Sequence, residues 1–168
     1  MPHSQRCVAI FKWDGPLPGF DVESDPERLT ALTARAPAEA IVAALRAGGF
    51  QTDVDAPYDG EGGWHFTVRI DGVTFGVFTL WTGIGGQDSF AVQLDVKRSV
   101  FAALFRKPIL DGRLEPACRV VDDALASVPR VKELRWLTDA EFEQSYCRGR
   151  PLPPTAQDAR QGGARGVG

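Results

Sequence analysis

The chain has 168 residues, a net charge of −3 and a pI near 5.4, which excludes the basic footprint of a general nucleic-acid binder. Apolar residues at 43% and charged residues at 24% match a globular domain with a real core, and no apolar run approaches the roughly 18 residues of a membrane span. Cys7, Cys118 and Cys147 form no CxxC pair, so no zinc knuckle or redox motif is expected, and the chain reads as a reduced cytoplasmic protein.

The first residues lead into only a short apolar stretch, Cys7 to Phe11, broken by Lys12, so a secretory leader is not expected. Cys7 to Trp13 reads as a first strand. Gly15-Pro16-Leu17-Pro18-Gly19 ends it, because two prolines fix φ and remove donors. Pro37 to Ala47 reads as a helix, with Pro37 in its first turn, an apolar stripe of Ile41, Val42 and Leu45, and Gly48-Gly49 at its exit. Phe50, Thr52 and Val54 suit a short strand, followed by a loop from Asp55 to Gly63 rich in Asp, Gly and Pro.

The segment from Trp64 to Val96 carries the strongest signal. Trp64, Phe66, Val68 and Ile70 alternate with His65, Thr67 and Arg69; Asp71-Gly72 breaks the run, and a second run extends from Val73 to Trp81. Asp-Gly between two such runs predicts a two-residue hairpin loop, which pairs Ile70 with Val73, Arg69 with Thr74, Thr67 with Gly76 and His65 with Phe78. After a Gly-rich loop, Phe90, Val92, Leu94 and Val96 alternate with Ala91, Gln93 and Asp95. Pairing Trp81 with Phe90 then sets Phe78 against Gln93, Gly76 against Asp95 and Thr74 against Lys97. One face collects Phe66, Val68, Ile70, Val73, Phe75, Val77, Trp81, Phe90, Val92, Leu94 and Val96, and is expected to lie under helices.

Ser99 to Arg106 is ambiguous between a short helix and an extension of the preceding strand. Arg113 to Ser127 is a helix by the spacing of Leu114, Ala117, Cys118, Val121 and Leu125. Val131 to Leu137 suits a short edge strand with Leu134 and Trp136 on one face. Thr138-Asp139-Ala140-Glu141 has the capping-box pattern and opens a last helix to about Cys147. Residues 149–168 have no hydrophobic period and are expected to be a disordered tail; with three Arg and one Asp they carry +2, leaving −5 on the body. The expected fold is α+β: a single domain over 1–148, with a curved antiparallel sheet of four to six strands and two or three helices on one face.

The face opposite the helices is the candidate site. It carries the rows His65, Phe78 and Gln93; Thr67, Gly76 and Asp95; and Arg69, Thr74 and Lys97. Phe78 and Leu80 are apolar where the pattern asks for polar residues, and Gly76 weakens a strand unless something approaches closely. A surface made of His65, Thr67, Gly76, Phe78, Gln93 and Asp95 suits a protein partner, or a second copy of the chain. The competing reading folds the N-terminal segment, through Phe11, Trp13 or Phe20, over Phe78 and Leu80.

Catalytic patterns are weak. Gly83 to Ser89 resembles a phosphate-cradling loop, but it lacks the P-loop Lys and precedes a strand, not a helix. His65 has Asp95 two strands over and one row down; Glu61 and Asp59 precede it in a loop, and His3 lies near the chain start. Cys118 falls on the apolar face of its helix, which suits an inert thiol. Asp122-Asp123 with Glu115 reads as a solvated helix face rather than a metal patch. Lys97-Arg98 and Arg106-Lys107 flank Val100, Phe101, Leu104 and Phe105, a segment too short for stable membrane docking. Arg148 to Pro154 matches a polyproline ligand only in outline. No catalytic residue, cofactor or metal is expected. The expected function is that of a non-catalytic protein-binding module, of the immunity-protein or secretion-chaperone type. The alternative is a small-molecule-binding domain or minor enzyme using a groove around His65, Gly76 and Asp95.

Overall fold

A computed structural model of the chain describes residues 6–17, 26–54, 63–83, 86–96, 111–149 and 151. Its elements are β1 (Arg6–Trp13), α1 (Pro26–Ala47), β2 (Gln51–Val54), β3 (Gly63–Ile70), β4 (Val73–Trp81), β5 (Ser89–Val96), α2 (Asp111–Ser127), β6 (Val131–Thr138) and α3 (Asp139–Arg148). The strands form one open antiparallel sheet in the order β2-β3-β4-β5-β1-β6, and three helices pack against it. The fold is α+β, as the alternation predicts.

The turn chemistry sets the register. Asp71 and Gly72 have φ of 49° and 77°, the two positive values of a type I′ turn, whose twist matches that of the flanking strands. Ile70 then pairs with Val73, Arg69 with Thr74, Thr67 with Gly76 and His65 with Phe78. In the next hairpin Trp81 pairs with Phe90, Phe78 with Gln93 and Gly76 with Asp95. These are the predicted pairs; the expected contact of Thr74 with Lys97 lies outside the described residues. The loop from Gly83 to Ser89 is a hairpin connection. Within it the Ser89 N–H donates to the Gly86 carbonyl and the Gly86 N–H to the Gly83 carbonyl, and the Trp81 indole donates to the Gln87 carbonyl at 2.7 Å.

The apolar side of this register is the core. Phe66, Val68, Phe75, Val77, Phe90 and Val92 are fully buried, each stabilising the fold by about 1.5–3 kcal/mol. Ile70 and Leu94 are also buried, while Val73 and Trp81 are half-buried. Helix α1 lies over β3 and β4, and α2 over β1, β5 and β6. Ala117, Cys118, Val121 and Leu125 form the buried face of α2, as their spacing predicts.

Three expectations need correction. Helix α1 begins at Pro26, not Pro37: Pro37 is buried within the helix, and Thr33 and Ala34, one turn before it, are already core residues. A proline without an N–H weakens one turn but does not end a helix whose face is buried on both sides of it. Phe11 and Trp13 do not fold over Phe78. Phe11 stands opposite Phe90 in β1 and stacks on its ring, centroids 5.9 Å apart, on the helix side of the sheet. Phe20, the third candidate, lies outside the described residues. Finally, Asp122 is not simply solvated: its carboxylate accepts the Trp136 indole N–H at 2.7 Å, tying α2 to β6.

Strand β6 is an edge strand, as expected, and it is bulged. Its register against β1 shifts between Ile10 and Lys12, where Glu133 has φ of 52°. The capping box also forms. The Thr138 hydroxyl accepts from the Glu141 N–H, the Glu141 carboxylate accepts from the Thr138 N–H at 2.8 Å, and α3 ends at a left-handed Gly149. The ambiguous segment from Ser99 to Arg106, its basic flanks and the tail beyond Pro151 fall outside the described residues.

Candidate functional site

The sheet face turned away from α1 and α2 is built by strict alternation, so its residues follow from the register. On β3 they are Gly63, His65, Thr67 and Arg69; on β4, Thr74, Gly76, Phe78 and Leu80; on β5, Ala91, Gln93 and Asp95; on β1, Val8, Ile10 and Lys12. Their exposure divides the face in two. Val8, Ile10, Ala91 and Leu137 are buried at the β1 end, although they face away from the two covering helices. Strand β1 is therefore buried on both sides, as its unbroken apolar run Cys7-Val8-Ala9-Ile10-Phe11 could have signalled.

The candidate residues lie in the other half. The register sets His65, Phe78 and Gln93 side by side in one row and Thr67, Gly76 and Asp95 in the next. Thr67, at 7% exposure, and Gly76 are buried; His65 and Phe78 are half-buried; Gln93 and Asp95 are exposed. Arg69 and Thr74 extend the polar margin beyond Gly76. Glu61 and Asp59, the carboxylates that precede His65, lie outside the described residues, as does His3.

Gly63, which sequence reasoning left in a loop, completes this site. It opens β3 opposite Leu80, and a Cβ built on it would run into the Phe78 ring and stand 2.7 Å from the Thr79 carbonyl. The aromatic ring thus fills the space that a side chain on this glycine of the neighbouring strand would take, a diagonal pairing. The contact narrows the orientations open to Phe78. The signal was the Gly-Trp junction at the start of the alternating run.

Two of the three thiols are packed inside the fold. Cys7 and Cys118 are buried, Cys147 is exposed, and all three are free. Burial pushes the Cys7 thiol up to about 12, and its hydrogen bond to the Asp139 carboxylate at 3.0 Å pushes the same way. Burial, with Glu115 and Asp122 nearby, raises Cys118 to about 11. At neutral pH neither is a thiolate, the form that attacks or ligates. Among the described residues no group of three or more His, Cys, Asp or Glu is arranged to hold a metal ion, and no helix is long and apolar enough to cross a membrane.

Compared with known proteins, the chain matches no protein-family model, no curated protein and no solved structure. The site's chemistry has to be read from its own geometry.

Proposed function

We propose that this chain is a non-catalytic protein-binding module of the immunity-protein or secretion-chaperone type, which engages its partner through the patch centred on Phe78. One observation carries the reading: a half-buried aromatic ring, packed over Gly63, stands beside exposed Gln93 and one row from exposed Asp95, with exposed Arg69 and Thr74 a further row along the same face. Binding energy concentrates in aromatic anchors surrounded by polar groups that exclude water. A ring already packed against the neighbouring strand loses less freedom on association than a solvated one. The net charge of −3 favours a basic partner.

The test is a parallel capture from native lysate with the wild-type chain and Phe78→Ala, followed by titration of whatever the wild type retains. The expected outcome is a partner whose affinity falls by about 2 kcal/mol or more in the variant. The variant's denaturation midpoint should shift by less than the about 3–5 kcal/mol typical of a fully buried Phe. Equal affinity of the two proteins for the captured partner would overturn the proposal.

A further inference from the structure

A second surface lies on the opposite side of the sheet. The chain leaves α2 through the tight turn Val128-Pro129-Arg130-Val131, closed by the Val131 N–H on the Val128 carbonyl at 3.0 Å. Proline in second position holds such a turn rigid. Between this turn and the middle of α1 is a cleft of about 350 Å³. Its walls are Trp13, Ala36 and Ala40 on one side, Pro129 and Arg130 on the other, with Glu39 at the rim. Ala36 and Ala40 are one turn apart on the same helix face, and their small side chains leave the space open.

Three features give the cleft a chemical preference. The Arg130 guanidinium lies over the Trp13 ring, 5.9 Å from its centroid, and no carboxylate among the described residues pairs with it. Glu39 is paired with Arg35 at 2.7 Å, and Arg130 is the cationic side chain lining the cleft. Trp13 is only 4% exposed, and its indole N–H is buried without a hydrogen-bond partner, between Gly15 and the Arg130 side chain. The N–H is thus sealed under Gly15 and the Arg130 stem, and the ring offers the cleft its apolar surface under the guanidinium.

We propose that this cleft binds a small organic monocarboxylate with an apolar body. The carboxylate pairs with the exposed Arg130 guanidinium held over the Trp13 ring, and the body rests on Ala36, Ala40 and Pro129. The volume falls at the lower end of the range for small-molecule sites. A bidentate guanidinium–carboxylate pair supplies the orientation, and the rigid turn presents the guanidinium already in place.

The probe is 3-phenylpropionate, titrated into the full ¹⁵N-labelled chain while the Trp13 indole N–H resonance, assigned by its loss in Trp13→Phe, is followed. The resonance should move saturably, with a Kd of about 0.1–1 mM for a ligand of this size. Arg130 is exposed, so Arg130→Gln leaves the fold intact; it should weaken binding by about tenfold. The neutral 3-phenylpropanol should bind about tenfold more weakly than the acid to the wild type. Ala40→Leu, with an unchanged circular dichroism spectrum, should abolish the shift by filling the cleft. No saturable movement at about 10 mM, well above that expected Kd, overturns the proposal. So does equal affinity of Arg130→Gln, or equal affinity of the alcohol and the acid. None of these results bears on the Phe78 patch, which lies across the sheet.

Discussion

Gly63 and Gly72 occupy the same hairpin and resist substitution for different reasons. Gly72, at φ of 77°, has nothing within 4 Å of an added Cβ, so the cost there is conformational. Gly72→Val should destabilise by about 1–3 kcal/mol through backbone strain, measured by urea denaturation. At Gly63 the obstacle is the Phe78 ring and the Thr79 carbonyl, so Gly63→Ala should cost about 1–3 kcal/mol by overpacking. It should also displace the ring, visible as changed Phe78 side-chain resonances. The hydroxyl of Thr79 is buried and unpartnered opposite Trp64, whose indole N–H is unpartnered too. Thr79→Val removes the orphaned hydroxyl at constant shape and should leave stability equal or raise it by up to about 1 kcal/mol. The buried thiols add a pH dependence. Their folded pKa values, about 12 and 11, exceed the ordinary 9.0, so the unfolded chain loses these protons first as pH rises. Their stabilising contribution is complete below pH 9.0 and is lost as pH climbs from there through 11 to 12. Stability measured between neutral pH and about pH 10.5 should fall less steeply in a Cys7→Ala, Cys118→Ala double variant than in the wild type. A thiol reagent should label only Cys147 in the folded chain, because the other two are buried.

At the scale of elements, the capping box and the β6 bulge each offer a direct measurement. Thr138→Ala removes the hydroxyl that accepts from Glu141 and should cost about 1 kcal/mol. Glu133 holds a left-handed conformation in an edge-strand bulge, where glycine is the usual occupant. Its ion pair with Lys12 is 3.6 Å long and exposed, worth little. Glu133→Gly should therefore raise the denaturation midpoint slightly. Register and faces were legible in the sequence from Trp64 to Val96, because alternation and Asp-Gly are both local signals. The first half of α1 was not: Pro37 looks like a helix start when only the downstream stripe is read. Nothing local announces that Thr33 and Ala34, before the proline, meet the core. Strand β1 was placed correctly along the chain but not across the sheet. A run of five apolar residues does not say which strands lie beside it.

For the whole molecule, the two faces of the sheet differ in use. The helix side is core, with a charged-rimmed cleft where α1 meets the turn after α2. The far side is buried at Val8, Ile10 and Ala91 and open at Gln93 and Asp95. The candidate residues of that side were brought together by register alone, which is why the sequence could list them. Their burial could not be read the same way. Thr67 and Gly76 are covered while their row-mate Asp95 is exposed, a difference set by tertiary packing and not by alternation. Ile10 measures this division. It faces away from α1 and α2, yet Ile10→Ala should cost about 2–5 kcal/mol, the penalty of a core cavity, in the same denaturation assay that finds Gln93→Ala nearly neutral.

The placement of β1 between β5 and β6 has a consequence for biosynthesis. Of the six strands, β1 is made before the other five but takes its place only after strands made much later have emerged, because both of its hydrogen-bonding neighbours lie far downstream. Until then an apolar pentapeptide, Cys7 to Phe11, travels unpaired on the nascent chain, while the β3–β4 hairpin can close on local contacts alone. Ribosome-bound chains halted before β5 has emerged should therefore protect the hairpin from protease and leave β1 open to cleavage, to chaperone capture and to pairing with the same strand on a neighbouring polysome.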